Sequence, residues 1–275
     1  MKIIVPMAGL GTRFQKVAHL NEEYRKPKPF IMVHDHPMVR WATGSLPFVQ
    51  HPGDEPKEYH WVKPADLIFI ILKSHDTEYK IEKGLRDIYS NEINVVILPE
   101  VTRGAAETAY QAKSFVSDDE DVLITDSDHH FNGIPLMKLI IEQHPETAGI
   151  IPVFRARNEG IPKWSYSLMK QGSNFVEKVA EKDRALMEAG AFANIGAYYF
   201  SKAKHFFSEA ADVIKNNRRS GDPQKGEFYI APLYQNLIEK GHKIQAVEIP
   251  EVWGLGTPDD LDYFLKSGTI RSPHF

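Results

Sequence analysis

The first half of the chain alternates short apolar runs with segments long enough to form helices, and this alternation limits the possible folds more than any other sequence feature. The runs are rich in Ile, Val and Phe, and they lie at residues 3–7, 67–72, 93–98 and 122–125. A strand that is apolar at every position is buried on both faces, and helix-length connections favour parallel crossovers. The pattern predicts an α/β fold with a Rossmann-like mixed, mainly parallel sheet and helices on both faces.

The second half of the chain changes from continuous apolar runs to alternating ones. Residues 164–168 and 175–179 alternate apolar and polar positions around a Gly-Ser-Asn turn, which predicts an antiparallel β-hairpin attached to the sheet. Other periodic segments predict helices at 79–88, 105–116, 135–143, 201–216 and 231–240, strands at 191–200 and 243–249, and a last helix beginning at Pro258. Residues 47–64 have no periodicity, and we expect an exposed loop or insertion there.

Composition limits what the chain can bind. Cysteine is absent, which excludes disulfides, cysteine-ligated zinc, iron–sulfur clusters and a thiol nucleophile. The 33 basic and 37 acidic side chains give a net charge of -4, whereas non-specific nucleic-acid binding usually needs a basic surplus. No apolar run approaches the length of a membrane span, and the first strand is not preceded by a secretory signal. We expect a cytoplasmic protein without nucleic-acid or membrane partners, and a homo-oligomer stays open.

A glycine-rich segment, Gly9-Leu10-Gly11-Thr12-Arg13-Phe14, directly follows the first apolar run. Glycine lets the backbone take positive φ and approach a ligand, so that successive amides can face phosphate oxygens. Arg13 adds a cation, and Lys26 and Lys28 follow on a proline-stiffened segment. The spacing differs from that of the P-loop and, because Phe14 replaces the third glycine, from GxGxxG. Alone the segment could be a tight turn, but with these cations it predicts a cradle for a triphosphate.

These residues resemble the sugar nucleotidyltransferase family (nucleoside-diphosphate-sugar pyrophosphorylases), in which a GxGTR loop is followed by PKP and a hydrophobic pair, here Pro27-Lys28-Pro29-Phe30-Ile31. Further segments resemble the family in the same chain order, at residues 102–108, 122–128, 181–182, 193–198 and 253–261. Members transfer a nucleotidyl group from a nucleoside triphosphate to a sugar 1-phosphate and release pyrophosphate. The resemblance implies one nucleotidyltransferase domain over residues 1–275, with a nucleotide-binding half at 1–150 and an acceptor-binding half, including the hairpin, at 151–275.

The resemblance also implies roles for individual residues. The nucleotide would be bound by Ala8, Gly9, Leu10, Gly11, Thr12, Arg13, Gly104 and Ala105, and the acceptor by Glu181, Lys182, Asn194 and Gly196. Arg13 would stabilise the leaving pyrophosphate and Lys28 the α-phosphate, which makes these two residues and Asp128 the expected catalytic set. Simpler alternatives are a solvated surface position for Lys26 and a salt bridge from Glu181 to a neighbouring lysine.

Two aspartates, Asp126 and Asp128, follow the run at 122–125, where open sheets place their ligands. Oxygen ligands suit Mg²⁺, and we expect Asp128 to be its first ligand and Asp126 its second, although one of them could simply cap the turn. His129 and His130 come next in the sequence. Because Mg²⁺ prefers oxygen, we interpret both histidines as packing or rim residues.

Two departures from the family pattern limit the prediction. No glutamine precedes the small-residue loop in residues 98–101, so the nucleotide base stays open. Gly254 and Leu255 stand where many members carry a second metal-binding aspartate. The later Asp259 or Asp260 could take that place, but we interpret both as helix N-cap residues.

Four functions are therefore considered. The leading one is a Mg²⁺-dependent nucleotidyltransferase that serves nucleotide-sugar and polysaccharide biosynthesis. A phosphocholine-type cytidylyltransferase would keep the reaction with an alcohol phosphate as acceptor. A GT-A glycosyltransferase would use Asp126 and Asp128 as an Asp-x-Asp pair, but its donor would not need Arg13 and Lys28. The missing second aspartate motivates a non-catalytic regulatory subunit that binds nucleotide sugars.

Overall fold

The apolar runs of the first half form the central strands of one large sheet. The computed structural model describes residues 1–157, 160–221 and 226–268. The strands in these residues are β1 (Lys2–Pro6), β2 (Met32–Val33), β3 (His36–Pro37), β4 (Leu67–Leu72), β5 (Asn94–Leu98), β6 (Val122–Thr125), β7 (His129–Phe131), β8 (Thr147–Phe154), β9 (Ser165–Met169), β10 (Val176–Glu181), β11 (Phe192–Asn194), β12 (Ala197–Phe200), β13 (Lys243–Glu248) and β14 (Val252–Gly254). The helices are α1 (Thr12–Gln15), α2 (Met38–Gly44), α3 (Lys73–Tyr79), α4 (Ile81–Ile88), α5 (Ala105–Tyr110), α6 (Ile134–Glu142), α7 (Arg184–Glu188), α8 (Ala203–Lys215), α9 (Ala231–Glu239) and α10 (Pro258–Ser267). The four predicted strands are β1, β4, β5 and β6, but the prediction of burial on both faces is wrong for β5, which is the last strand of the sheet and leaves Ile97 41% exposed.

The strand order explains which loops meet. In the described part of the chain, ten strands pair in the order β10-β9-β11-β8-β12-β6-β1-β4-β5, with β13 added against β8. Strands β5, β4, β1 and β6 are parallel, whereas β12 joins β6 antiparallel and β9 and β10 form the predicted hairpin. The expected mixed sheet with parallel core strands is confirmed. Two small sheets pair β14 with β7 and β2 with β3.

Apolar layers cover both faces of the sheet. The even-numbered side chains of β4, from Ile68 to Leu72, belong to one cluster with side chains of α5, α8 and α9. The odd-numbered ones, from Leu67 to Ile71, belong to a second cluster with side chains of α2, α4 and α6. Successive side chains of a strand point to opposite faces, and burying one Ile, Leu or Phe contributes about 1.5–3 kcal/mol. The prediction of helices on both faces is therefore confirmed.

The strand expected at residues 191–200 is divided into β11 and β12. Ile195 and Gly196 separate the two strands, and Gly196 has a φ of +91°, which residues with a side chain rarely adopt. β11 pairs with β8 and β9, whereas β12 pairs with β6 and β8. The Gly196 carbonyl accepts a hydrogen bond from the Asp126 backbone N–H at 2.8 Å, so the break lies beside the carboxyl end of β6.

The prediction of an exposed loop at residues 47–64 is wrong for both ends of that segment. Phe48, Val49 and Val62 are buried, and Val49 pairs with Val62 in an isolated parallel bridge. Only the middle, at residues 52–59, is mainly exposed. The buried positions are too few and too irregularly spaced to produce a periodic signal, which is why the sequence does not reveal them.

The helices are shorter than some of the segments that predict them. α5 ends at Tyr110, and a 3-10 turn at Lys113–Phe115 replaces the rest of the helix expected at 105–116. α3 and α4 are separated at Lys80, which has a left-handed φ of 55°. Among the described residues, no helix has both the length and the apolar character needed to cross a bilayer.

Candidate active site

The candidate active site lies at the carboxyl ends of β1 and β6, which are neighbours in the parallel core. The glycine segment follows β1, and Gly11 takes a φ of +64° at the N-cap of α1. A Cβ at Gly11 would lie 3.4 Å from Cβ of Lys28, so the glycine lets the lysine segment pack closely on the loop. Asp126 and Asp128 follow β6 directly. The topology therefore brings the predicted phosphate cradle, Lys28 and both aspartates to one edge of the sheet.

Lys28 and Asp128 form the central ion pair of this site. The Lys28 Nζ donates to Oδ2 of Asp128 at 2.6 Å, and the two side chains are 28% and 21% exposed. Burial raises the pKa of Asp128, but Lys28 and, more weakly, Arg13 outweigh burial and hold that pKa below its usual value. Burial and the Asp128 charge raise the pKa of Asp126 to about 7. A further positive charge at this edge would stabilise the ionised form of both carboxyl groups.

Two glycines leave the space that the carboxylates occupy. A Cβ at Gly196 would collide with Oδ2 of Asp126, and one at Gly256 would lie 2.6 Å from Oδ2 of Asp128. The Leu255 backbone N–H donates to the Asp128 carbonyl at 2.8 Å. The segment after β14 thus packs directly on the turn after β6 and fixes the position of Asp128.

His129 forms a compact cluster with the two aspartates. The candidate ligand atoms of Asp126, Asp128 and His129 lie within 4.8 Å of one another, and no other such group of three occurs in the described residues. Burial lowers the pKa of His129 to about 4, so its imidazole is neutral at pH 7. Its Nε2 lies 3.3 Å from Oγ1 of Thr125. The sequence interpretation of His129 as a packing or rim residue did not anticipate this cluster, because the turn after β6 determines which way the ring lies.

His130 and Lys26 have the simpler roles considered from the sequence. The His130 ring packs edge-on against Trp41 with centroids 5.0 Å apart, and its Nδ1 lies 3.1 Å from Oγ of Ser45. The Lys26 Nζ pairs with Oε1 of Glu23 at 2.5 Å. Of the two predicted phosphate-side lysines, only Lys28 therefore contacts the aspartate cluster among the described residues.

The interpretation of Asp259 and Asp260 as N-cap residues is wrong. The N-cap of α10 is Thr257, whose Oγ1 accepts a hydrogen bond from the Asp260 backbone N–H at 3.1 Å. Both aspartates lie in the first turn, where the helix dipole favours negative charge, and Oδ2 of Asp260 accepts from the Thr257 hydroxyl at 2.6 Å. Within the described residues, neither of these carboxylates belongs to the cluster around Asp128.

Two of the four predicted acceptor residues, Glu181 and Lys182, lie at the end of the hairpin strand β10, whereas Asn194 ends β11 and Gly196 lies between β11 and β12. Glu181 accepts a hydrogen bond from Oγ of Ser165, and burial raises the pKa of Glu181. Its charge also contributes to the raised pKa of Asp126, so the acceptor side lies close to the aspartates. The Lys182 Nζ is 3.9 Å from Oε1 of Glu181 but only 2.9 Å from the Tyr229 hydroxyl, and it lies 4.9 Å from the centre of the Tyr229 ring. The salt bridge considered for Glu181 is present, but Tyr229 is the closer partner of the lysine.

Sequence reasoning missed Tyr229, which is 47 positions from Lys182 and has no motif of its own. The backbone N–H of the preceding Phe228 donates to the Arg103 carbonyl in the loop before α5 at 3.0 Å, and the Phe228 carbonyl accepts from the Ala106 N–H in the first turn of α5 at 2.8 Å. Gly104 has a φ of +146°, and a Cβ there would lie 2.5 Å from the Phe228 backbone nitrogen. The segment that carries Tyr229 therefore also packs against Gly104 and Ala105, the predicted nucleotide-binding residues.

Arg13 and Asn194 present polar groups that no described residue uses. The Arg13 side chain is exposed, and neither an ion pair nor a hydrogen bond joins it to the described part of the chain. The Asn194 Oδ1 accepts from Oγ of Ser167 at 2.7 Å, whereas its buried Nδ2 has no hydrogen-bond partner in the described residues. A buried amide donor of this kind is suited to a ligand oxygen, because an unmet buried donor costs about 1–3 kcal/mol.

Known proteins resemble this chain in sequence and in fold. A family model described as nucleotidyl transferase matches residues 27–262, more than four fifths of the chain. A nucleoside-diphosphate-sugar pyrophosphorylase from Vibrio cholerae RC9 is 25% identical with a TM-score of 0.72, over 96% of this chain and 99% of that one. A Bacillus anthracis protein described as a glucose-1-phosphate thymidylyltransferase, solved with a sucrose, is 16% identical with a TM-score of 0.69, over 100% of this chain and 97% of that one. The second similarity supports the fold alone.

Proposed function

Because the chain belongs to the nucleotidyl transferase family, we propose that it transfers a nucleoside monophosphate from a nucleoside triphosphate to a sugar 1-phosphate, or to a similar phosphorylated small molecule. In this reaction an oxygen of the acceptor phosphate attacks the α-phosphorus in line, the bond to the β-phosphate oxygen breaks, and pyrophosphate leaves. The 25% identical pyrophosphorylase supports the choice of acceptor class. A cytoplasmic enzyme that supplies nucleotide sugars for polysaccharide biosynthesis is the setting we propose.

One observation supports this proposal above the others: the glycine segment, Lys28 and Asp128 meet at one edge of the parallel core, with Lys28 2.6 Å from Asp128. Phosphoryl chemistry of this kind needs alignment and positive charge more than covalent participation by the protein. A loop of backbone amides beside a lysine and a carboxylate provides both. We also propose a role for each of the individual site residues.

On the nucleotide side, residues 8–13 would hold the triphosphate through backbone amides, and the exposed Arg13 would pair with the leaving pyrophosphate. Lys28 would shift from Asp128 towards the α-phosphate, where its charge stabilises the transition state. Gly104 and Ala105 lie at the start of α5, where they would contact the nucleoside.

On the acceptor side, Lys182 would bind the attacking phosphate as a point charge. Its side chain is 41% exposed, and its Nζ is already oriented by the hydrogen bond to the Tyr229 hydroxyl. Two residues would bind hydroxyl groups of the acceptor substrate. The Glu181 carboxylate would accept a hydrogen bond from a hydroxyl, and Asn194 would donate one through its unused Nδ2. The hydrogen bond from the Asp126 backbone N–H to the Gly196 carbonyl connects these residues to the aspartates.

The donor set also fits the divalent cation that the family reaction uses. Asp126 and Asp128 supply oxygen ligands, and Gly196 and Gly256 leave the space in which those carboxylates lie. We propose Mg²⁺, which when bound would neutralise charge on the transferred phosphate. Asp126 and Asp128 would hold it, and its positive charge would offset the repulsion that raises the pKa of Asp126.

A pyrophosphate-release assay tests the proposal. Purified protein is incubated with Mg²⁺, each of five nucleoside triphosphates, and a panel of sugar 1-phosphates with phosphocholine included. We expect release with one pair and a loss with Asp128→Asn. Release with phosphocholine alone would favour the cytidylyltransferase, whereas binding of nucleotide sugars without any release would favour the regulatory subunit. Family membership argues against the GT-A glycosyltransferase.

A further inference from the structure

We propose that His129 supplies a nitrogen ligand to the divalent cation, so that one short segment, Asp126 to His129, holds the metal. This inference rests on the proposed function, since it concerns the cation that the transfer uses. It replaces the interpretation of His129 as a packing residue.

The distances in the cluster fit a shared ion. Ligand bonds to a small divalent cation are about 2.0–2.2 Å, so two atoms bound to one ion lie about 3–4.3 Å apart. The ligand atoms of Asp126, Asp128 and His129 already lie within 4.8 Å of one another. That bound exceeds the range for a shared ion by about 0.5 Å, so the three side chains would have to close slightly around an ion.

The state of the histidine ring also suits coordination. His129 is 4% exposed, and contact with Thr125 at 3.3 Å limits rotation of the ring. Imidazole is the commonest protein ligand of divalent transition metals and binds them through one ring nitrogen. A polar partner is the usual means of fixing the orientation of a ligand histidine.

The closing segment cannot supply the missing ligand. Gly254 and Leu255 stand where many members have an aspartate, and the Leu255 side chain is fully buried in an apolar cluster with Phe264. Gly256 packs against Asp128 without a polar side chain, and the Asp260 carboxylate is bonded to its own helix cap. Among the His, Cys, Asp and Glu side chains of the described residues, His129 is thus the one that forms a group of three with the two aspartates.

A nitrogen ligand has a consequence for metal preference. Mg²⁺ favours oxygen donors, whereas the later divalent ions gain more from imidazole, in the order Mn²⁺ < Co²⁺ < Ni²⁺. We therefore expect the free protein to bind Mn²⁺ at least about tenfold more tightly than Mg²⁺, and expect His129→Asn to reduce this preference.

Electron spin-echo envelope modulation of Mn²⁺ bound to the full chain, without nucleotide, tests the proposal directly. Mn²⁺ alone is the probe, because a coordinated imidazole nitrogen produces ¹⁴N modulation. We expect this modulation in the native protein, its loss in His129→Asn, and its retention in His144→Asn, the same change at a histidine whose side chain is 44% exposed. Melting temperatures confirm that each variant is folded, and His129→Gln serves if the asparagine variant is not.

Two results would overturn the proposal: native protein without ¹⁴N modulation, or modulation that persists in a folded His129 variant. The pyrophosphate assay on native protein is independent of these spectra. An active enzyme without nitrogen coupling would refute the His129 ligand alone, and nitrogen coupling in a protein that releases no pyrophosphate would refute the proposed function alone.

Discussion

Arg13 and Lys28 are both proposed to act on the triphosphate, but they differ in what they contribute to the folded chain. Lys28 is paired with a partly buried aspartate, so its removal leaves charge uncompensated. The Arg13 side chain is exposed and forms no ion pair or hydrogen bond with the described residues, and its effect on the pKa of Asp128 is weaker than that of Lys28. Arg13 is therefore the better position at which to separate catalysis from stability.

Arg13→Ala is expected to reduce kcat/KM by about 10²–10³-fold, because a fixed cation on the leaving pyrophosphate is lost. The melting temperature should change little, since surface substitutions are usually within about 0.5 kcal/mol. Steady-state kinetics and thermal unfolding measure the two effects. Lys16→Ala, an exposed cation just beyond α1, is the matched control and should keep activity. An equal loss in both variants, or a clear loss of stability in Arg13→Ala, would contradict the assignment.

Tyr229 offers a prediction on the acceptor side. Burial alone would lower the pKa of Lys182, but the hydrogen bond from Lys182 to Tyr229, together with nearby carboxylates, raises it. Tyr229→Phe removes that bond and keeps the ring, and a hydrogen bond to a charged group contributes about 1.5–3 kcal/mol. We expect the KM for the acceptor to rise about tenfold with little change in the KM for the nucleotide. Tyr263→Phe, at a ring 69% exposed, is the control, and a general loss of both affinities would point to a structural role instead.

The sequence predicts residues of the site where motif and strand order coincide, and misses residues whose contacts depend on turn geometry. Lys28 and Asp128 are 100 positions apart; Asp128 follows β6, the glycine segment follows its parallel neighbour β1, and Lys28 packs on that segment at Gly11. His129 directly follows Asp128, and the preference of Mg²⁺ for oxygen ligands indicates a packing or rim residue; that its ring lies with both carboxylates depends on the turn after β6. Tyr229 lies on an irregular segment, which has no periodicity to read.

At the scale of elements, uninterrupted apolar runs were the strongest signal. β4 and β6 have the predicted bounds because strands buried on both faces contain no polar position to blur their ends. The division between β11 and β12 could not be seen in an alternating segment, since Gly196 is needed for its φ of +91° and for its contact with Asp126. The buried ends of residues 47–64 were missed because their packing comes from tertiary contacts.

The segment after β14 provides a test of element packing. Gly256→Ala would place a Cβ 2.6 Å from Oδ2 of Asp128, so the carboxylate or the segment must shift. We expect kcat/KM to fall by at least about tenfold, with a stability loss of about 1–3 kcal/mol from overpacking. Gly254→Ala is the matched control, because its Cβ would lie 3.7 Å from Cγ of Asp260, an ordinary contact. Activity and denaturant unfolding are compared, and equal losses in the two variants would refute the role of Gly256.

For the whole molecule, acid sensitivity follows from histidines that fold in the neutral form. Burial lowers the pKa of His205 to about 4, with contributions from His242, Lys204 and Lys202 that exceed the opposing effect of Glu209. The unfolded chain binds a proton at this ring near pH 6.5. Stability from His205 is therefore complete above about pH 6.5 and is lost as the pH falls towards 4.

His205→Gln should flatten this dependence. At pH 5 the variant is expected to lose less free energy of unfolding, relative to pH 7, than the native protein, by on the order of 1 kcal/mol after allowing for screening at a partly exposed ring. Urea unfolding at both pH values measures the difference, and comparison of the two proteins cancels the titration of other groups. If the free energy of unfolding changed equally with pH in both proteins, protonation of His205 would not destabilise the fold.

The bond from Leu255 to Asp128, together with the pairing of β14 with β7, joins parts of the chain that are more than 100 positions apart. A ribosome completes the parallel core strands long before it reaches this closing segment, and domains commonly begin to fold during synthesis. The nascent chain can therefore form its core while the aspartate turn still lacks its final support. Catalytic competence becomes a property of the finished polypeptide, and translation that stops before residue 252 would yield a protein with a core but without an ordered site.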